Sequence, residues 1–156
     1  MSSEGILRLI HREDATAHAA VERVIPQMTE AVEVLACALG GGGRWFNVGA
    51  GTSGRIGVLD ASEIPPTFGL SPRCVQGVIA GGDRALRSAV EGAEDDPEAG
   101  ALALEERGVA LGDVVGGISA SGHTPYVLGA IEAGARLGAR TVAGCCAPDS
   151  PLAESG

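Results

Sequence analysis

Two stretches of the chain carry residues able to grip an anion. The first is Gly49-Ala50-Gly51-Thr52-Ser53-Gly54-Arg55. Gly51 and Gly54 let the backbone turn tightly and come close to a ligand, because no Cβ intervenes. Thr52 and Ser53 stand where a helix is expected to begin, so their hydroxyls and unpaired N–H groups are open to a negative group. The predicted helix runs on from Ser53 to Ser62 and delivers a carboxylate, Glu63, in front of Pro65-Pro66, which are expected to forbid its continuation. The second stretch, Ser119-Ala120-Ser121-Gly122-His123-Thr124-Pro125, supplies three hydroxyls, from Ser119, Ser121 and Thr124, with Gly122 among them and a proline to open the next helix. Together the two turns suit a ligand with one phosphate and several hydroxyls, such as a sugar phosphate. Plainer readings stand beside this one: Ser53 and Ser121 as simple helix caps, Arg55 as a helix-surface residue.

The first turn has G-x-G-x-x-G spacing, but that pattern alone is weak evidence for a dinucleotide site, and no acid closes a following strand in the expected way. A P-loop is excluded because the chain contains no lysine.

The elements that must position these turns follow from periodicity. An amphipathic helix is predicted over residues 2–12, then a longer helical stretch capped by Asp14, broken or kinked near Ile25 by Pro26 and ended by Gly40–Gly43. Trp45–Val48, Val75–Ala80, Val114–Ile118 and Thr141–Cys145 read as short, mostly apolar strands covered on both faces. Between them lie the helix after the first turn, a helix capped by Asp83, one over Pro97–Arg107 and one from the second turn to Gly138. Alternating strands and helices imply an α/β fold with a three-layer, doubly wound, open parallel sheet, flavodoxin-like, preceded by a helical arm. Ligands in such sheets bind beyond the carboxyl ends of the strands, the edge at which both turns emerge.

Composition bounds the rest. The 156 residues suffice for a single core, built without many aromatics, which make up 3% of the chain. Net charge is −9 and no basic stripe exists, which argues against nucleic acid or an anionic membrane as partner. Cys37, Cys74, Cys145 and Cys146 form no zinc pattern, no signal peptide is evident, and no apolar run is long enough to span a bilayer. A cytoplasmic protein with reduced thiols is expected. His11 and His18 read as exposed surface residues.

Gly49–Arg55, continued by Leu59-Asp60-Ala61-Ser62-Glu63 and Pro65-Pro66-Thr67-Phe68-Gly69, closely resembles the N-acetylmuramic acid 6-phosphate etherases of the sugar isomerase (SIS) domain superfamily. The likeness continues through Ile79–Gly82, Ala89–Asp96 and Ser121–Tyr126. It implies a lyase that releases D-lactate from N-acetylmuramate 6-phosphate by β-elimination and hydration, in peptidoglycan recycling, without metal or organic cofactor. Such chemistry needs two carboxyl groups in different protonation states. By the resemblance these match Glu63 and Glu94, while Gly51, Thr52, Ser53, Gly54, Arg55, Ser119, Ser121, Gly122 and Thr124 match phosphate and sugar contacts. A homodimer with the active site near its interface is implied too. Two alternatives of the same fold stay open: a regulatory protein that binds phosphosugars without chemistry, and an aldose–ketose isomerase.

The chain departs from the family pattern in three ways. His123 stands where arginine is usual, and Ser119 where alanine is. Gly116 replaces a β-branched residue in the third strand, at an expected cost of about 1 kcal/mol. Family members run to about twice this length, so the chain is read as an arm, residues 1–43, and a SIS domain, residues 44–156, incomplete at its C-terminal end.

Overall fold

The computed structural model describes residues 1–155 as two compact units, Met1–Glu33 and Val34 onward. The division falls ten residues earlier than the expected end of the arm. It cuts a helix, because the last turns of that helix run into the loop that starts the sheet.

The first unit holds α1 (Ser3–Arg23) and the beginning of α2 (Ile25–Gly40). The expected break at Asp14 is absent, and α1 passes straight through it. Its cap is Ser2 instead, whose Oγ accepts from the N–H of Gly5 at 3.2 Å. The break does come at Val24, and Pro26 sits second in α2, where a missing N–H forfeits no helical bond. No residue of α1 is buried, and His11 and His18 are exposed.

The second unit is a four-stranded parallel sheet of β1 (Trp45–Gly49), β2 (Val75–Ile79), β3 (Val114–Ile118) and β4 (Arg140–Gly144), in the order β2-β1-β3-β4. One face carries α3 (Gly51–Phe68); the other carries α4 (Pro97–Glu105) and α5 (Pro125–Arg136), with α6 (Pro151–Ser155) against β4 and α5. Period-2 alternation sorts the strands. Phe46, Val48 and Val115 face α4 and α5, where they join Leu104, Val127, Ile131 and Leu152 in a fully enclosed cluster. Burying each such side chain contributes about 1.5–3 kcal/mol. On the opposite face the packing is close and partly polar. Buried Asn47 donates Nδ2–H to Asp60 Oδ2 at 3.0 Å and to the Gly57 carbonyl at 3.4 Å, tying α3 to β1.

Two helical expectations and one for a strand need correction. The helix after the first turn begins at Gly51, two residues before Ser53, and continues through Pro65 and Pro66 to Phe68. The two prolines remove two donors near an exposed end without breaking the geometry, and Gly69, in the left-handed region, stops the helix with its N–H on the Pro65 carbonyl at 2.9 Å. Asp83 opens no α-helix; Gly82–Leu86 is a single 3₁₀ turn followed by irregular chain. Gly116 is not simply a weak strand residue. The indole of Trp45 lies over it, and a Cβ there would meet Trp45 Nε1 at 3.1 Å.

The N-terminal edge of the sheet is fixed by one ion pair. Arg44 grips Asp113 through Nη2 to Oδ2 at 2.6 Å and Nε to Oδ1 at 3.2 Å, and donates further to the carbonyls of Arg107 and Gly108. Burial works to raise the Asp113 pKa, but the guanidinium and the N–H groups of Ala110 and Arg44 outweigh it and hold the carboxyl below its ordinary value.

Candidate active site

The strand order reverses between β1 and β3, because the chain winds to β2 on one side and to β3 and β4 on the other. Clefts form at such a reversal, beyond the carboxyl ends of the strands. Gly49 and Ile118 are partners in register, so the turns that follow them leave the sheet side by side.

The first turn is an uncapped helix start. Ala50 is the N-cap of α3 and offers no side-chain acceptor, so the N–H groups of Gly51, Thr52 and Ser53 are left to an outside acceptor, while Gly54 N–H returns to the Ala50 carbonyl at 3.1 Å. The simple-cap reading of Ser53 therefore falls. Gly54 is buried, and a Cβ on it would press on Ile79 Cγ1 at 2.6 Å, which lets the helix start sit directly on the strand end.

Beside this helix start lies a cavity of about 230 Å³. Gly51, Thr52 and Arg55 form one wall; Ala85, Val90, Glu91 and Glu94 form the other. Helix dipole and guanidinium make the first wall favourable to an anion. The two carboxylates of the second can accept from hydroxyls or move protons. Glu91 is a site residue that sequence reasoning missed. It sits three residues before Glu94, across Gly92, and the signal for it was hidden in an acidic run that resembles an ordinary solvated surface.

The second turn is organised from within. Ser119 is buried, with Oγ 2.8 Å from Thr124 Oγ1 and 3.4 Å from Ser121 Oγ, and it accepts from the Gly122 N–H at 3.1 Å. Ser121 accepts from His123 N–H, and His123 Nδ1 donates back to the Ser121 carbonyl at 2.8 Å. Exposed Ser121 and half-buried Thr124 are the hydroxyls nearest to solvent, Thr124 being the N-cap of α5. Underneath, Gly122 packs on fully buried Ser150, whose Oγ donates to the Ala147 carbonyl at 2.7 Å and accepts weakly from Ala153 N–H. Ser150 supports the turn from the β4–α6 connection, and its Ser-Pro step was the available sequence signal.

Glu63 is elsewhere. It lies twelve residues beyond Gly51 on the same helix, so about 18 Å along the axis at 1.5 Å per residue. It is exposed, on a stripe with Ile56 and Leu59, themselves 56% and 60% exposed. The cavity thus brings Gly51, Thr52, Arg55 and Glu94 together, while Ser53, Gly54, Ser119, Ser121, Gly122, Thr124 and Glu63 are not among the residues that line it. Among the described residues no cluster of three or more His, Cys, Asp or Glu is arranged to hold a metal, and no helix is long and apolar enough to cross a membrane.

Comparison with known proteins gives a consistent picture. The fold is that of solved phosphoheptose isomerases. The structure from Francisella tularensis superimposes with a TM-score of 0.74 over 99% of this chain and 81% of that one, at 18% identity. GmhA from Neisseria gonorrhoeae gives 0.69 over 91% and 74%, at 20% identity. In sequence the chain is 51% identical over 154 residues to the N-acetylmuramic acid 6-phosphate etherase of Glaesserella parasuis serovar 5, covering 99% of this chain and 51% of that protein. It is likewise 51% identical to N-acetylmuramic acid 6-phosphate etherase 2 of Vibrio cholerae serotype O1, over 99% of this chain and 50% of the relative. The chain spans about half the length of these curated relatives. Residues 19–135 match the family described as glucokinase regulatory protein N-terminal SIS domain. With that match running from within α1 to the last turn of α5, the chain belongs to the SIS-domain family of that description, and its curated relatives include N-acetylmuramic acid 6-phosphate etherases.

Proposed function

We propose that this chain binds a phosphosugar between its two turns and serves the lyase reaction of its etherase relatives, releasing D-lactate from N-acetylmuramate 6-phosphate in the cytoplasm as part of peptidoglycan recycling. The observation that carries the reading is the uncapped start of α3, which shares one cavity with Arg55 and Glu94. Phosphate is held by the N–H groups of Gly51, Thr52 and Ser53 and by Arg55. The sugar extends toward Glu94 and toward the hydroxyls of Ser121 and Thr124, whose turn Ser119 and Gly122 hold in shape.

In the open-chain sugar the C1 aldehyde acidifies the proton on C2. One carboxylate removes that proton, and a carboxylic acid protonates the lactyl oxygen as the C3–O bond breaks; water then adds to the alkene. Glu94 is one member of this pair and Glu63 the other. They do not meet within one chain, so the second is supplied by another copy: the exposed Ile56, Leu59 and Glu63 stripe of α3 docks beside the cavity of a partner in a homodimer. The small volume of the cavity agrees with this, since small-molecule sites run to about 300–1,000 Å³ and this one needs a further wall.

A second reading has an observation of its own. Without Glu63 the cavity holds the binding half of the site but not the matched carboxylate pair, which is what a phosphosugar-binding regulatory protein would need. One assay decides. The purified chain is titrated calorimetrically with N-acetylmuramate 6-phosphate, and free D-lactate is then measured. Heat with lactate supports the lyase, heat without lactate the regulatory reading. Ketose formation from an aldose phosphate would favour an isomerase, and absence of binding would overturn all three.

A further inference from the structure

We propose that Arg55 is a positioning residue for Glu94, acting through a tether to the segment between β2 and the Glu94 turn; the inference deepens the phosphosugar reading and rests on it for the role of Glu94. Residues 82–91 make up most of the far wall of the cavity, through Ala85, Ala89, Val90 and Glu91. The segment is bounded by Gly81 and Gly92, both with positive φ (82° and 73°), a conformation that other residues adopt only with strain. Inside it the backbone bonds are local: Arg87 and Ser88 N–H to the Arg84 carbonyl, and Ala93 N–H to the Val90 carbonyl.

A single hydrogen bond among the described residues joins this segment to the body of the domain. Arg55 Nε donates to the carbonyl of Ala85 at 2.9 Å. Ala85 is 4% exposed, so that carbonyl sits where few other partners can reach it. Arg55 belongs to the first turns of α3, the helix whose start forms the anion wall. One side chain therefore links the wall that takes the phosphate to the wall that leads to Glu94. Only Nε is spent on the tether, which leaves the outer guanidinium nitrogens for an anion. A ligand that draws on them also tightens the arrangement of the opposite wall.

The covalent geometry of glutamine gives a clean test. In Arg55→Gln, the amide nitrogen falls at the position of Arg Nε, so the tether donor is kept while the charge is lost. Arg55→Met keeps similar bulk and removes both. The segment carries two arginines, Arg84 and Arg87, both exposed, so trypsin reports its opening directly without any substrate. With tryptic cuts at Arg84 and Arg87 timed by mass spectrometry, Met is expected to raise the cleavage rate about fivefold, the size expected for one lost hydrogen bond. Gln is expected to stay near the unsubstituted chain. In lactate release the two variants separate in the same way: Gln raises KM and keeps kcat, whereas Met raises KM and lowers kcat. Equal cleavage rates for Gln and Met, or no change in either, would overturn the tether. Thermal melts of both variants identify any general loss of fold, which would accelerate cleavage at arginines throughout the chain instead of at these two. If no form of the chain releases lactate, the lyase reading fails while the proteolysis still decides the tether.

Discussion

The separation of Glu63 from Glu94 can be tested by mixing two disabled chains. About 18 Å of helix lies between the phosphate end of α3 and Glu63. Two-carboxylate enzymes such as the glycosidases keep their pair within about 5–9.5 Å. If each working site takes Glu94 from one copy and Glu63 from its partner, Glu63→Gln and Glu94→Gln chains are each inactive alone, with a loss of about 10²–10⁴-fold for a missing proton-transfer group. Phosphosugar binding by the Glu63→Gln chain should be nearly intact, because the α3 N–H groups and Arg55 assigned to the phosphate are unchanged. Mixed in equal amounts and allowed to exchange, half of the dimers contain one of each chain. In such a dimer one site is rebuilt, with both native glutamates, and the other lacks both. Activity should therefore return to about a quarter of that of the unsubstituted chain, the statistical limit for a two-fold dimer. The assay is D-lactate release after exchange, with mixed dimers counted by native mass spectrometry. Mixed dimers present at their statistical share but no more active than the separate variants would refute a shared site. So would a Glu63→Gln chain that keeps most of its turnover.

Three further outcomes follow from the packing. Gly100→Ala would drive a methyl group into the Tyr126 carbonyl where α4 lies on α5, and should cost about 1–3 kcal/mol or more, read as a lower denaturant midpoint with little change in m. Gly116→Val, a gain of about 1 kcal/mol on strand propensity alone, should destabilise instead, because Trp45 Nε1 already occupies the neighbouring space; a higher melting temperature would show that the indole can move aside. The Asp113 carboxyl is held below its ordinary value, so its contribution to stability is fully present above the unfolded carboxylate range and is lost as pH falls through the lowered value. Asp113→Asn should therefore be less stable at neutral pH and show a shallower loss of melting temperature on acidification, and an unchanged acid limb would remove Asp113 from the account.

Much of this architecture was readable from residue order. The strands announced themselves as short apolar runs, and the two turns as clusters of glycine and hydroxyl residues placed where strands end. What escaped was decided by contacts between distant residues. Pro65 and Pro66 were read by a local rule that stops helices, yet α3 runs through them to Gly69, and with that extension Glu63 moved from a loop to an exposed helical stripe. Asp83 looked like a cap, but the segment after it makes only one 3₁₀ turn and is tied to α3 through Arg55. Ser119 was matched to a ligand contact through the family resemblance; its burial, and the bonds of its hydroxyl to Thr124 and the Gly122 N–H, were not legible in the sequence. Glu91 could not be told from its acidic neighbours without knowing which of them faces a cavity.

The strand order has a consequence for how the molecule comes into being. Every pairing in the sheet is parallel, so no two neighbouring strands can meet through a tight hairpin. Trp45 waits 30 residues for Val75 and 69 for Val114. During synthesis the uncapped start of α3 and the Glu94 turn therefore emerge well before β3, the strand that seats the second turn beside them. A chain emerging from the ribosome carries the cavity-lining residues on a two-stranded ribbon, with β1 still exposing one row of backbone donors and acceptors. Such long-range closures fold slowly and leave a sticky edge in the interval. The residues that line the cavity, Ala50 to Glu94, are thus all synthesised before the strand that places the second turn beside them.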